Sequence, residues 1–244
     1  MRESLKSKII RYVKQPSLIY VHSTYHLVRF IDGMRDRRIC GCSLSKRRDT
    51  NIEGGNHYAP TCYWNLDEVF KDTVFTAEDN FVDIGCGKGR VLAWWLDKGF
   101  PGTATGIELD PYVAGVAREW LKRYPEERVR LIEGDGLKQD YSKYTIIYIF
   151  RPFAIEFLVR FLELLEAQLT HPVCLHYMSD QFSREVLLNR PGWTGLKRRK
   201  VYKKYGLCMY GSPQYYSIWK YEPSDIRSVN EENRLSYCPL GILS

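Results

Sequence analysis

The chain has 244 residues, 44% of them hydrophobic, enough to bury the core of one sizeable domain. No run is long and apolar enough to span a bilayer, and the N-terminus lacks the apolar centre of a signal peptide. Seven scattered cysteines with no C-x-x-C pair exclude a disulfide framework and an obvious zinc site, which leads to the expectation of a reducing, cytoplasmic setting. The net charge of +7 is concentrated at one end: residues 1–50 carry twelve Lys or Arg against four acids, so the other 194 residues sum to −1.

In chain order, residues 4–13 place Leu5, Ile9, Tyr12 and Val13 on one helical face with Lys6, Lys8, Arg11 and Lys14 around it, and Pro16 is expected to stop that helix. Arg35, Arg37 and Arg38, and then Lys46-Arg47-Arg48, lie in a Gly/Ser-containing stretch that reads as loop. Such a basic segment suits an anionic membrane surface, a nucleic acid or an acidic substrate, and equally a solvated face packed on the rest of the chain. His22 and His26 have the i, i+4 spacing of a helical metal pair, but no third ligand accompanies them, and no metal is expected. Residues 1–56 are therefore read as a basic helical and loop extension. A stretch from His57 to Tyr63 follows, with Thr61 as candidate N-cap of a short helix carrying Leu66, Val69 and Phe70.

The most informative segment is Phe81-Val-Asp-Ile-Gly-Cys-Gly-Lys-Gly-Arg90. An apolar strand ends in Gly85, Cys86, Gly87, Lys88 and Gly89, and a helix with Val91, Leu92, Trp95 and Leu96 on one face begins at once. Strand, glycine turn and helix let a backbone come close to a nucleotide-type ligand. The spacing is G-x-G-x-G, and Arg90 stands where a dinucleotide fingerprint would place its third glycine. A second strand, from Gly102 to Leu109, brings Glu108 to its end, 25 residues after Asp83, in place to accept from ribose hydroxyls. Pro111 then suits a helix start. A third strand, Val129 to Ile132, runs into Gly134-Asp135-Gly136. A fourth, Thr145 to Phe150, is apolar throughout, as a strand buried on both faces should be, and meets Arg151-Pro152-Phe153. The helix after it carries Ile155, Leu158, Leu162, Leu165 and Leu169. A fifth strand, Val173 to Met178, bears His176 near its end. Beyond a short helix (Phe182 to Leu188), Lys197 to Tyr205 and Gln214 to Tyr221 read as a hairpin, and residues 223–244 as a polar tail. The hairpin's Lys197-Arg198-Arg199-Lys200 and Lys203-Lys204, interleaved with Tyr202 and Tyr205, suit either a polyanion or plain exposure.

From Asp83 through Asp135, this arrangement resembles the class I methyltransferases that use S-adenosylmethionine, across about two thirds of the chain, residues 57–222. The resemblance implies an α/β fold of three layers with a seven-stranded Rossmann-like sheet, order 3-2-1-4-5-7-6 and last strand antiparallel. It implies the cofactor S-adenosylmethionine and a site made by Asp83, Gly85, Cys86, Gly87, Gly89, Glu108, Asp135 and Phe150, the Asp135 acid meeting the adenine amino group. Tyr58 and Thr61, on a segment that closes over the methionine end in that family, are expected to donate to the cofactor carboxylate. The family members acting on amino groups carry Asn/Asp-Pro-Pro-Tyr/Phe after the fourth strand, whereas this chain has Phe150-Arg151-Pro152-Phe153. An arginine has only donors and cannot take an amine's protons. A small-molecule or saccharide hydroxyl is thus the expected acceptor, with Arg151 orienting it and His176 as candidate base. Methylation of a protein lysine or a nucleic acid gripped by the N-terminal segment, or cofactor binding without turnover, are the alternatives.

Overall fold

The computed structural model describes residues 12–46 and 59–223. Tyr58, the Arg47-Arg48 run, most of the expected 4–13 helix and the tail from 224 lie outside the described residues. The N-terminal extension departs most from expectation. Residues 12–14 are helical and that helix ends before Pro16, as expected; Pro16 then caps a second helix, α1 (Ser17–Cys40), where its φ of −57° costs nothing. Arg35, Arg37 and Arg38 lie in the last turns of α1 rather than in a loop, the latter two where a helix C-terminus favours cations. Gly41, at φ 75°, closes the helix with its N–H donating to Arg37 O at 2.9 Å. The inward face of α1 follows helical spacing (Val28, Asp32, Asp36, Ile39), but two of those four positions are acids, so no apolar stripe advertises it.

The chain then forms α2 (Tyr63–Val69), β1 (Asn80–Ile84), α3 (Arg90–Asp97), β2 (Thr103–Glu108), α4 (Pro111–Leu121), β3 (Val129–Glu133), β4 (Ile146–Phe150), α5 (Ile155–Gln168) and β5 (Val173–Met178). It ends with β6 (Trp193–Val201), the short β7 (Lys203–Lys204) and β8 (Leu207–Cys208), and β9 (Gln214–Tyr221). Seven strands form one sheet in the order β3-β2-β1-β4-β5-β9-β6, with β9 antiparallel to both its neighbours. This is the expected order, with β9 as the seventh strand. It is a Rossmann-like class I sheet.

Two local expectations are corrected. The sixth strand starts at Trp193, not Lys197, and a separate two-stranded β7–β8 ribbon turning at Tyr205-Gly206 interrupts the return to β9. The segment Phe182 to Leu188 makes 3-10 turns at Asp180–Phe182 and Arg184–Val186 instead of an α-helix. Between β3 and β4 there is a single 3-10 turn, Gly136–Lys138, and no packed helix.

Strand alternation divides the core. Phe81, Tyr148, Met178 and Tyr216 face α1, α2 and α3, where Trp94, Trp95, Leu66 and Phe70 close the layer. Val82, Ile84, Ile147, Ile149 and Tyr177 face the other side, against Leu158, Phe161, Leu162 and Leu165 of α5. The carboxyl ends of β1, β2, β3 and β4 open together onto one cavity of about 570 Å3.

Candidate active site

The first wall of the cavity is the turn after β1. Gly85, Gly87 and Gly89 adopt φ of 70°, 59° and 81°, a left-handed conformation that side chains disfavour, which explains three glycines at alternate positions. A Cβ on Gly85 would meet Pro152 Cβ at 2.7 Å, and one on Gly89 would meet Trp120 at 2.9 Å. Cys86 is small for the same reason: its Sγ fills the space beside Gly106, and burial pushes its thiol pKa upward, so it stays protonated. Gly85 and Cys86 line the cavity, whereas Gly87 and Gly89 shape it from behind.

Four carboxylates line this cavity. Glu108 binds the loop to β2, with Oε2 accepting from Gly87 N at 2.7 Å and Oε1 from Asp110 N at 2.8 Å. Burial raises its pKa. Asp83 is only 2% exposed, and its Oδ2 has no hydrogen-bond partner. Burial, then the neighbouring Glu108 charge, holds its carboxyl well above the usual range. A buried acceptor left unsatisfied at a cavity wall calls for a donor from within the cavity. Asp135 caps the Gly136–Lys138 turn, its Oδ1 accepting from Leu137 N at 2.9 Å, while still lining the cavity.

The fourth carboxylate, Asp32, comes from α1, as do Tyr25 and Arg29 in the same wall. Sequence reasoning missed all three. They reach the site because Arg90, the first residue of α3, is buried and bonded to the N-terminal segment and Thr61. Its Nη2 donates to Asp36 Oδ2 at 2.6 Å and Ser45 Oγ at 2.7 Å, its Nε to Asp36 Oδ1 at 3.0 Å, and its Nη1 to Asp32 Oδ2 at 3.4 Å and Thr61 O at 3.3 Å. Burial raises the Asp32 pKa to about 6 against the opposing pull of Arg90. The signal was present in the sequence: an arginine in the glycine's place must find carboxylates if buried, and Asp32 and Asp36 are one helical turn apart. Arg29 donates to Ser45 O and lies 5.6 Å over the Tyr25 ring.

Thr61 lines the cavity too, its Oγ1 3.0 Å from Tyr148 Oη, but Cys62 rather than Thr61 is the N-cap of α2. Tyr210, on the loop that follows β8, lines the same region with a buried hydroxyl lacking a partner.

The rest of the lining has a different chemistry: Arg151, Phe157, Phe182, Ser179 and Gln214, with Phe150 between, Pro152 against Gly85 and Phe153 against Gly136. Arg151 and Ser179, at the ends of β4 and β5, have φ of 41° and 61°, conformations non-glycine residues adopt only where their surroundings enforce them. The Arg151 guanidinium lies 4.3 Å over the Phe182 ring. Ser179 Oγ and Gln181 Nε2 both donate to Gln214 Oε1, at 2.7 and 2.8 Å.

His176 is not in this wall. It pairs in register with Tyr148 on the face that holds Asp83, but Phe70 stacks on its ring at 4.4 Å and seals it from the cavity. Burial lowers its pKa to about 3, leaving a neutral core imidazole. Its expected role as a base is withdrawn on that geometry. His22 is hydrogen-bonded through Nδ1 to Tyr12 Oη at 2.8 Å, and the described residues contain no metal-ligand cluster.

A doubly wound sheet with a glycine turn and carboxylates at its strand ends is an arrangement in which α/β folds hold nucleotide cofactors. Residues 81–167 match a family model described as a methyltransferase domain. The fold is shared with a methyltransferase from Pyrococcus furiosus (17% identity, 80% of this chain and 96% of that one, TM-score 0.56). It is also shared with the tRNA methyltransferase TrmK of Bacillus subtilis (14%, 66% and 67%, TM-score 0.52). No curated protein matches the sequence significantly. Over residues 81–167 the chain is thus similar to a methyltransferase domain, and its sheet has the strand order of the class I fold.

Proposed function

We propose that the enzyme methylates a hydroxyl oxygen of a small molecule or saccharide held against Arg151. When bound, S-adenosylmethionine supplies a methyl group already activated on a sulfonium, so the protein's task is alignment of the acceptor. The observation that carries this reading is the contrast within the cavity. Its acceptor end has Arg151, neutral Ser179 and Gln214 and aromatic walls, and none of the described residues lining it at the ends of β4 and β5 is a carboxylate; Asp180, next to Ser179, is buried and accepts from Arg198 at 2.8 and 3.0 Å instead. An amine acceptor needs hydrogen-bond acceptors to take its protons, whereas an oxygen nucleophile gains from a guanidinium that favours its ionised form.

At the other end, Glu108 suits the ribose hydroxyls, since each oxygen keeps a lone pair beyond its backbone bond. Asp135 suits the adenine amino group, and Cys86, Gly85 and Phe150 line the space between. For the amino-acid end, Asp83 and Asp32 suit the ammonium, and Arg29 with Thr61 the carboxylate. Tyr58, expected there too, lies outside the described residues.

Incubation with methyl-labelled S-adenosylmethionine and separated pools of small metabolites, saccharides, proteins and nucleic acids tests the acceptor. Label in the first two, lost on treatment that cleaves methyl ethers but not N-methyl groups, supports the proposal. Label confined to protein or nucleic acid overturns it.

A further inference from the structure

Helix α1 is inverted relative to an ordinary surface helix. Its only two acids, Asp32 and Asp36, are buried, while Ile19, Leu27, Phe30 and Met34 are exposed, Phe30 by 60%. At 100° per residue these four fall on one side, opposite Asp32, and span about 22 Å along the axis. Cations stand at both ends of this stripe. Arg37 and Arg38 follow it, Arg38 paired with Asp97 at 2.7 Å. At its start, Lys203 Nζ lies 4.9 Å over the Tyr20 ring, and Lys204 flanks Tyr205, which is 82% exposed. The ribbon is fastened there by the Tyr20 hydroxyl donating to Gly206 O and by Cys208 N donating to Thr24 Oγ1 at 3.2 Å. Neither Lys203 nor Lys204 has a carboxylate partner among the described residues.

We infer that this face of α1, together with the β7–β8 ribbon, docks the enzyme on an anionic lipid bilayer. An apolar helix face rimmed by cations and free of exposed acids fits the boundary between acyl chains and negative headgroups, and an exposed tyrosine suits that depth. Charge selects this occupant over a second copy of the chain, because antiparallel pairing would set Arg37 against Lys203 and Lys204. A nucleic acid would meet the lysines but leave the aliphatic stripe in water. The docked helix turns Tyr25 and Arg29, on its opposite side, into the cavity wall. The inference goes beyond the proposed acceptor and does not depend on it.

The test is co-sedimentation of the full chain with vesicles of phosphatidylcholine containing about one third phosphatidylglycerol, against pure phosphatidylcholine, at low salt. The expected result is binding to the anionic vesicles alone, weakened about tenfold or more by L27E/F30E and by K203E/K204E, with the residual binding of the latter less sensitive to salt. Near-ultraviolet circular dichroism checks that the variants are folded, and Phe30→Ser serves if the double change is not. Absence of binding to anionic vesicles overturns the inference, as does equal binding by the stripe variants. A dimer that F30E converts to monomer assigns the stripe to self-association instead and also overturns it.

Discussion

The two ends of the cavity are built on opposite principles. The end proposed to hold the cofactor gathers four carboxylates, Asp32, Asp83, Glu108 and Asp135, beside a turn with three glycines at positive φ. The acceptor end has Arg151, Ser179 and Gln214 among phenylalanines. On the proposed reading, the first end holds a ligand common to a whole class of reactions and the second a particular acceptor. The difference also divides what holds them. The cofactor end is braced from outside the sheet by the Asp32–Arg90–Asp36 network, whereas the acceptor end is held by strained strand ends and by the hydrogen bonds of Gln214.

The largest effect is expected where the bracing is cut. Asp36→Ala removes the carboxylate that accepts from both Nε and Nη2 of the buried Arg90 and should cost about 3–5 kcal/mol of folding stability, read by urea unfolding. A loss under 1 kcal/mol, on the scale of a surface pair, would show that the network does not brace the loop.

Arg151→Ala should separate the ends by function. It is expected to lower kcat/KM for the acceptor by roughly a hundredfold or more, while affinity for S-adenosylhomocysteine changes by less than about twofold. Equal losses in both would place Arg151 at the cofactor.

A smaller effect is expected at His176. A general base would cost about 10²–10⁴ in rate when removed; His176→Phe, which keeps a ring against Phe70, should retain activity within a few-fold. The same variant has a pH signature. The folded-state pKa near 3 lies below the ordinary 6.5, so the neutral ring contributes stability that is present above pH 6.5 and lost as the pH falls from there towards 3. In the phenylalanine variant that part of the acid-side slope should vanish in denaturation measured across this range.

The parallel half of the fold was legible because its signals are local. β1 and β4 are apolar runs closed by turn residues, and Asp110-Pro111 announces α4, with Asp110 Oδ1 accepting from Tyr112 N at 2.9 Å. Helix α1 was hidden because its buried face spends two positions on acids whose partner, Arg90, lies 54 and 58 residues away. Periodicity registers apolarity and not ion pairs between distant segments. His176 shows the complementary limit. Strand alternation gave its face and level, but only tertiary packing brings Phe70 across it. Asp83, Glu108 and Asp135 were legible from spacing after the glycines, while Arg29, Asp32 and Tyr210 come from segments joined to the site by packing alone.

The central claim is the polarity of the cavity, with the nucleoside at Glu108 and the amino-acid moiety at Arg29 and Asp83. It is tested most directly by calorimetric affinities of the full chain, Glu108→Ala and Arg29→Ala for S-adenosylhomocysteine and for 5′-methylthioadenosine, which lacks the amino-acid end. The account predicts that Glu108→Ala weakens both ligands by about tenfold or more, whereas Arg29→Ala weakens S-adenosylhomocysteine to that degree and leaves methylthioadenosine unchanged. Equal weakening of both ligands by Arg29→Ala, or none by Glu108→Ala, would contradict it.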